Sequence, residues 1–245
     1  MISVRGVSKR FGEKLAVDDV TFEAEPGSIT YLLGPNGAGK TTVMRMIAGL
    51  TRTSSGTISV NGSGLRDFRK AITEIGFGLG AFARNPGHTA AQHLRWQSRL
   101  GGLPTSNVGP VLDRVGLDRV ANRPVGEFSY GMLQRLGIAA ALLGDPKTLV
   151  LDEPANGLDI EGIIWLRELL LGLATEGKCL LVASHNLTEV EITGTRVVIM
   201  GKGKVLSDTS KDELVAAGSG PRPLESAYVE ITADSVEYAA TGGAR

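Results

Sequence analysis

The chain has 245 residues, 42% of them hydrophobic, which suits one large α/β domain with room for a smaller lobe. Its 26 Lys and Arg balance 26 Asp and Glu, so no basic field argues for nucleic acid as the main partner. The N-terminus carries no signal-peptide pattern, and no run approaches the ~20 apolar residues needed to span a bilayer, so a soluble, cytoplasmic chain is expected. The one cysteine, Cys179, lies in the apolar run Cys179-Leu180-Leu181-Val182-Ala183, which reads as a buried small hydrophobe rather than a disulfide or metal ligand.

From Ile2 to Phe22 the sequence reads as strands joined by a turn at Phe11-Gly12-Glu13-Lys14. Phe11 is the aromatic on that turn; its flat ring is suited to stack on adenine, or it anchors the turn. The short apolar run Ser28 to Leu33 predicts a buried strand. It leads directly into Gly34-Pro35-Asn36-Gly37-Ala38-Gly39-Lys40-Thr41-Thr42. This stretch fits G-x-x-x-x-G-K-S/T, and Val43, Met44, Met46, Ile47 and Leu50 mark an apolar helix face after it. Glycines between a strand and a helix let the backbone curl into a nest of N–H groups, to which the helix adds its positive end. In such a loop Lys40 reaches the β- and γ-phosphates, and Thr41 offers its hydroxyl to Mg²⁺.

Thr57 to Val60, followed by Asn61-Gly62, predicts another strand and a tight turn, completing an antiparallel layer. Glu74 to Gly80 predicts a strand fraying into glycines at 76, 78 and 80, and these favour a mobile loop. Between Pro86 and Gly144 the pattern turns helical; no cysteine or acidic residue stands at metal-ligand spacing from His88 or His93, which read as ordinary surface or packing histidines. Within it, Ser129 in Phe128-Ser129-Tyr130-Gly131-Met132 precedes a helix. It reads as an N-cap, and its hydroxyl with the bare N–H groups would also suit a phosphate. Thr148 to Leu151 then delivers Asp152 and Glu153 at a strand tip. Asp152 suits Mg²⁺ held through water, and Glu153 suits taking a proton from an attacking water. Asn156-Gly157-Leu158-Asp159 turns the chain into a helix from about Ile160 to Glu176. Cys179 to Ala183 is a further buried strand ending at His185, placed as a γ-phosphate sensor. A hairpin over Val197–Leu206 and a short helix at Lys211–Val215 follow. From Gly218 the composition predicts a loosely attached tail with an apolar island at Leu224, Tyr228, Val229 and Ile231, frayed at Thr241–Arg245.

Together these residues resemble the ATP-binding subunit of an ABC transporter, from Ile2 to about Leu214. Phe128 to Met132 stands where that family has its LSGGQ signature, followed by Gln134-Arg135. Leu149 to Pro154 looks like the Walker B strand, Asn156 to Asp159 the D-loop, and His185 the switch histidine. The resemblance implies a P-loop NTPase core with a parallel sheet, an antiparallel β-layer and a helical subdomain inserted at about 86–145. The ATPase domain would span 1–217, and 218–245 would be a partly disordered extension. It implies ATP and Mg²⁺ as cofactors, with Glu153 and His185 catalytic and Thr41 and Asp152 on the metal. The nucleotide would be held by Phe11, by Gly34, Pro35, Asn36, Gly37, Ala38, Gly39, Lys40, Thr41 and Thr42, and by Ser129, Gly131 and Asp159.

Two departures stand out. Tyr130 and Met132 replace a signature glycine and glutamine, and Gly80 stands where the Q-loop glutamine belongs, with Gln92 a candidate to take over its role. Asn85 to Ala90 looks like exporters of the drug, antibiotic or lipid type, whose permease is a separate membrane chain. Because P-loop and signature of one subunit do not meet at one nucleotide, the resemblance implies a head-to-tail homodimer, or a heterodimer with a similar ATPase. Such a pair sits on the inner face of the membrane through the permease. A soluble ABC ATPase acting on nucleic acid or ribosomes, and a non-catalytic ATP-binding module, are the alternative readings.

Overall fold

The computed structural model describes residues 1–79 and 85–235. Gly80 and the Thr241–Arg245 end lie outside the described residues. The chain begins as a hairpin of β1 (Ile2–Phe11) and β2 (Lys14–Ala24), turned at Gly12, whose φ of 56 suits glycine. Next come β3 (Ile29–Leu33), all five residues buried, and α1 (Lys40–Ile47). Strand β4 (Ser55–Val60) returns to pair antiparallel with β1, giving a three-stranded layer in the order β2-β1-β4.

The larger sheet is completed by β5 (Ile75–Leu79) and, after a helical excursion, the strands that follow. The excursion comprises α2 (Ala90–Leu100), α3 (Val108–Arg114) and α4 (Tyr130–Leu142). Then come β6 (Thr148–Asp152), α5 (Ile160–Thr175), β7 (Cys179–Ala183), α6 (Leu187–Thr193), β8 (Arg196–Gly201) and β9 (Lys204–Ser210). Its order is β5-β6-β7-β3-β8-β9, parallel throughout except for the β8–β9 hairpin.

Alternation along β3 explains the layering. Ile29, Tyr31 and Leu33 join a core with α4 and α5 residues such as Leu136 and Leu170, whereas Leu32 joins Val43, Met44 and Ile47 of α1. That second core also contains Ile2, Val4 and Phe22, so α1 lies between the two sheets. Parallel neighbours β6, β7 and β3 end at one edge, which brings three loops together there.

Two sequence readings change. Gly76 and Gly78 belong to β5 and are packing positions, not parts of a mobile loop. A Cβ on Gly76 would sit 2.0 Å from the Ala141 carbonyl oxygen of α4, and one on Gly78 2.8 Å from a Leu151 methyl. After α7 (Lys211–Ala217), the tail expected to be loose from Gly218 contains α8 (Pro223–Thr232), which buries Leu224 and Ala227 in the main core. Cys179 is buried, as is His93. Among the described residues no helix is long and apolar enough to cross a membrane.

Candidate nucleotide and hydrolysis site

The loop leaving β3 is shaped by glycines that no other residue could replace without strain. Gly34 has φ 147, and a Cβ there would lie 2.3 Å from the Met200 carbonyl oxygen. Gly39 has φ 102, and its Cβ would lie 2.9 Å from the Ala16 carbonyl oxygen. Gly39 is also the N-cap of α1 and supplies no side-chain cap, so the helix presents uncapped N–H groups. Behind the loop, Gly203 N donates to Ala38 O at 3.1 Å, tying it to the β8–β9 turn.

Lys40 is 8% exposed, and its Nζ donates to the carbonyl oxygens of Gly34 (2.6 Å) and Pro35 (3.2 Å) of its own loop. Burial lowers its pKa, while Glu153 and Asp152 nearby oppose the shift. An ammonium has three donors, so one remains for a further acceptor.

From the neighbouring strand tip, Asp152 faces Thr41, whose Oγ1 donates to Oδ2 at 3.4 Å. Burial and the adjacent Glu153 raise the Asp152 pKa; the Thr41 hydrogen bond, Lys40 and Arg45 pull the other way. Glu153 is held at φ 49, a left-handed backbone uncommon for glutamate. Its N–H donates to Ala183 O at 2.9 Å, stitching the ends of β6 and β7 together. One residue beyond β7's end, Ser184, comes His185, whose Nδ1 lies 2.9 Å from Glu153 Oε2. The sheet order alone brings these groups to one place.

A cleft of about 610 Å³ lies over this edge, within the range of small-ligand sites. Asn36, Gly37, Ala38, Gly39, Lys40, Thr41 and Thr42 line it together with Asp152, Glu153 and the half-exposed Phe11. Gly34 and Pro35 do not line it; their carbonyl oxygens accept from Lys40. Lys9 Nζ stands 4.9 Å from the Phe11 ring centroid. Lys14, Leu15, Ala16, Lys202 and Gly203 also line the cleft and were not singled out in the sequence. Their one signal is the turn glycine at 203, whose φ is 83.

Residues 17–156 match the family model described as ABC transporter, more than half of the chain. The chain belongs to the ABC transporter family. It is 35% identical over 218 residues to the lantibiotic transport ATP-binding protein SrtF of Streptococcus pyogenes, covering 86% of this chain and 92% of that one. It is 39% identical over 220 residues to the bacitracin transport ATP-binding protein BcrA of Bacillus licheniformis, covering 87% and 71%. A solved ATP-binding subunit of an ABC transporter, 28% identical, superposes with a TM-score of 0.85 over 95% of this chain and 99% of its own. The chain is thus an ABC transporter ATPase subunit with the ABC cassette fold, binding ATP.

The signature residues of this ABC cassette stand apart from the cleft. Ser129 N-caps α4, its Oγ accepting from Met132 N at 3.2 Å, and Gly131 lies in the first turn. Asp159 N-caps α5 by accepting from Gly162 N at 2.8 Å. None of Ser129, Gly131 and Asp159 lines the cleft. Gln92 does not stand in for a Q-loop glutamine: its Oε1 accepts from Thr89 N at 2.9 Å in the capping box that starts α2. The Gly80 position itself lies outside the described residues.

Thr41 and Asp152 fit Mg²⁺. Both are hard oxygen donors, and 3.4 Å is long for an O–H···O bond, so both keep capacity for a cation or its waters. Among the described residues no group of three His, Cys, Asp or Glu could cage a metal, which suits an ion bound mostly by phosphate oxygens and water.

Proposed function

We propose that this subunit hydrolyses Mg²⁺-ATP to power export of a drug-, antibiotic- or lipid-type cargo through a separately encoded membrane permease, to which it attaches at the cytoplasmic face. The observation that carries this reading is the convergence of Lys40, Thr41, Asp152, Glu153 and His185 on one sheet edge, with contacts of 2.9–3.4 Å between the paired side chains. The transport roles of the lantibiotic and bacitracin relatives support the antibiotic side of the cargo class.

In this mechanism Phe11 stacks on the adenine and the loop N–H groups of residues 36–42 hold the phosphates. Lys40 turns its charge from the Gly34 and Pro35 carbonyls toward the β- and γ-phosphates. Thr41 and Asp152 would hold Mg²⁺, which would supply positive charge to offset that of the phosphates. Glu153 takes a proton from the water that attacks the γ-phosphorus, while His185 holds the Glu153 carboxylate and faces the γ-phosphate.

Ser129 and Gly131, away from their own cleft, serve the cleft of a second subunit. Two copies, or this chain and a similar ATPase, then close head to tail around two nucleotides. Closure on ATP and release after hydrolysis move the helical segment 86–145 against the permease.

Co-expression with a membrane protein of about six apolar helices, if a neighbouring gene encodes one, tests this. The two should purify together from membranes, with ATP hydrolysis that Lys40→Ala abolishes. A chain that ignores the membrane protein and is instead stimulated by RNA or ribosomes would favour the soluble alternative.

A further inference from the structure

Tyr130 occupies a position where the family's signature has a glycine, and it is 62% exposed. Its ring nevertheless has one close neighbour. A Cβ built on Gly157 would lie 1.9 Å from Tyr130 Cδ1 and 2.3 Å from Cε1, so the ring edge occupies the space a side chain at 157 would need. Gly131, the next residue, presses on the same point: a Cβ there would lie 3.3 Å from the Gly157 carbonyl oxygen. One turn further along α4, Gln134 Nε2 donates to the Glu153 carbonyl oxygen at 3.3 Å. Residues 130, 131 and 134 share one helix face, so the first turns of α4 touch both ends of the 153–157 loop.

That loop carries Glu153 at φ 49 and Gly157 at φ 74. A glutamate in the left-handed region persists only where its surroundings over-determine it. The constraints include Glu153 N on Ala183 O, Asn156 N on Glu153 O at 3.1 Å, Leu158 N on Ala155 O at 3.2 Å, His185 against the Glu153 carboxylate, Gln134, and the Tyr130 ring against Gly157. Glycine at 157 is therefore required twice, by its backbone and by the ring.

We infer that Tyr130 is a positioning residue for hydrolysis: its ring, seated on Gly157, couples the start of α4 to the loop that aims Glu153. The signature and the D-loop of one subunit then move as a unit, which a glycine at 130 would not impose. The role in hydrolysis rests on Glu153 being the general base; the contact itself does not.

Two sets of measurements on the full chain test it. In steady-state ATP hydrolysis, Tyr130→Phe should behave as wild type, since the ring makes the contact. Tyr130→Ala should lower kcat by about 10- to 100-fold, as small misplacements do, with KM for ATP within about twofold. In a Glu153→Gln background, Tyr130→Ala should cost nothing further, because the base it positions is gone. Wild-type kcat for Tyr130→Ala, or an undiminished loss in the Glu153→Gln background, would overturn the positioning role.

The second set is a melting-temperature cycle. Gly157→Ala should lower the melting temperature more in the wild type than in the Tyr130→Ala protein, where only the backbone strain remains. Equal lowering in both would overturn the contact. A Glu153→Gln protein that hydrolyses ATP normally would sink the base assignment instead, and the melting cycle would still judge the contact.

Discussion

The left-handed backbone of Glu153 makes a prediction that separates its backbone from its carboxylate. At φ 49 a residue with a Cβ carries about 1–2 kcal/mol of strain that glycine does not. Glycine also gains about 0.4–1 kcal/mol of unfolded-chain freedom, which works against it. The difference leaves Glu153→Gly more stable than Glu153→Ala by about 1 kcal/mol, or about 2–4 °C in melting temperature for a chain of this size. Both variants lose the carboxylate that meets His185 Nδ1 at 2.9 Å, so both should hydrolyse ATP about 10²–10⁴ times more slowly than wild type. Thermal unfolding by circular dichroism, run beside a steady-state ATPase assay, reads both effects. A Glu153→Ala protein as stable as Glu153→Gly, or more so, would refute the argument that this position stores strain.

Lys40→Ala should weaken ATP binding by about 10- to 100-fold, the worth of a charged hydrogen bond in a phosphate loop, measured by calorimetry. Asp152→Asn should abolish Mg²⁺-dependent turnover yet raise the melting temperature near neutral pH. Burial and Glu153 raise the Asp152 pKa, so its ionised form costs the folded state stability above that raised pKa. The gain from asparagine should therefore shrink as pH falls toward the ordinary value of 3.8, and a constant gain across that range would contradict it. Leu224→Ala should destabilise the chain by about 2–4 kcal/mol in denaturant unfolding, because α8 is part of the core. Gly80→Gln should raise ATP turnover measured without the permease, or reduce its dependence on the permease.

The strand–loop–helix at 29–47 was legible because glycines, a lysine and two apolar periodicities occur together at fixed spacing; Leu50, expected on the helix face, instead lies past the end of α1 and is exposed. The same holds for the strand tip at Asp152 and Glu153, where a buried run ends abruptly in two acids. What the sequence did not reveal depends on neighbours distant in the chain. Gly76 and Gly78 read as loop glycines because nothing local announces that α4 packs against β5 there. Leu224, Ala227, Tyr228 and Ile231 do follow a helical spacing, but Gly218, Gly220 and two prolines around them masked it. Pro223 at the first turn of α8 is where a helix tolerates proline, so that signal pointed to a start rather than a break. The contribution of Lys202 and Gly203 to the cleft follows from the β8–β9 turn bonding to Ala38, a contact between opposite ends of the chain's order. Tyr130 on Gly157 is likewise a contact that no spacing rule anticipates.

The central claim is that this chain hydrolyses Mg²⁺-ATP with Glu153 as the base. The most direct measurement is ATP turnover by the complex with its permease, comparing wild type with Glu153→Gln at saturating Mg²⁺-ATP. The account predicts that turnover falls by about 10²–10⁴ while ATP binding is retained. Turnover at the wild-type rate in Glu153→Gln would contradict it.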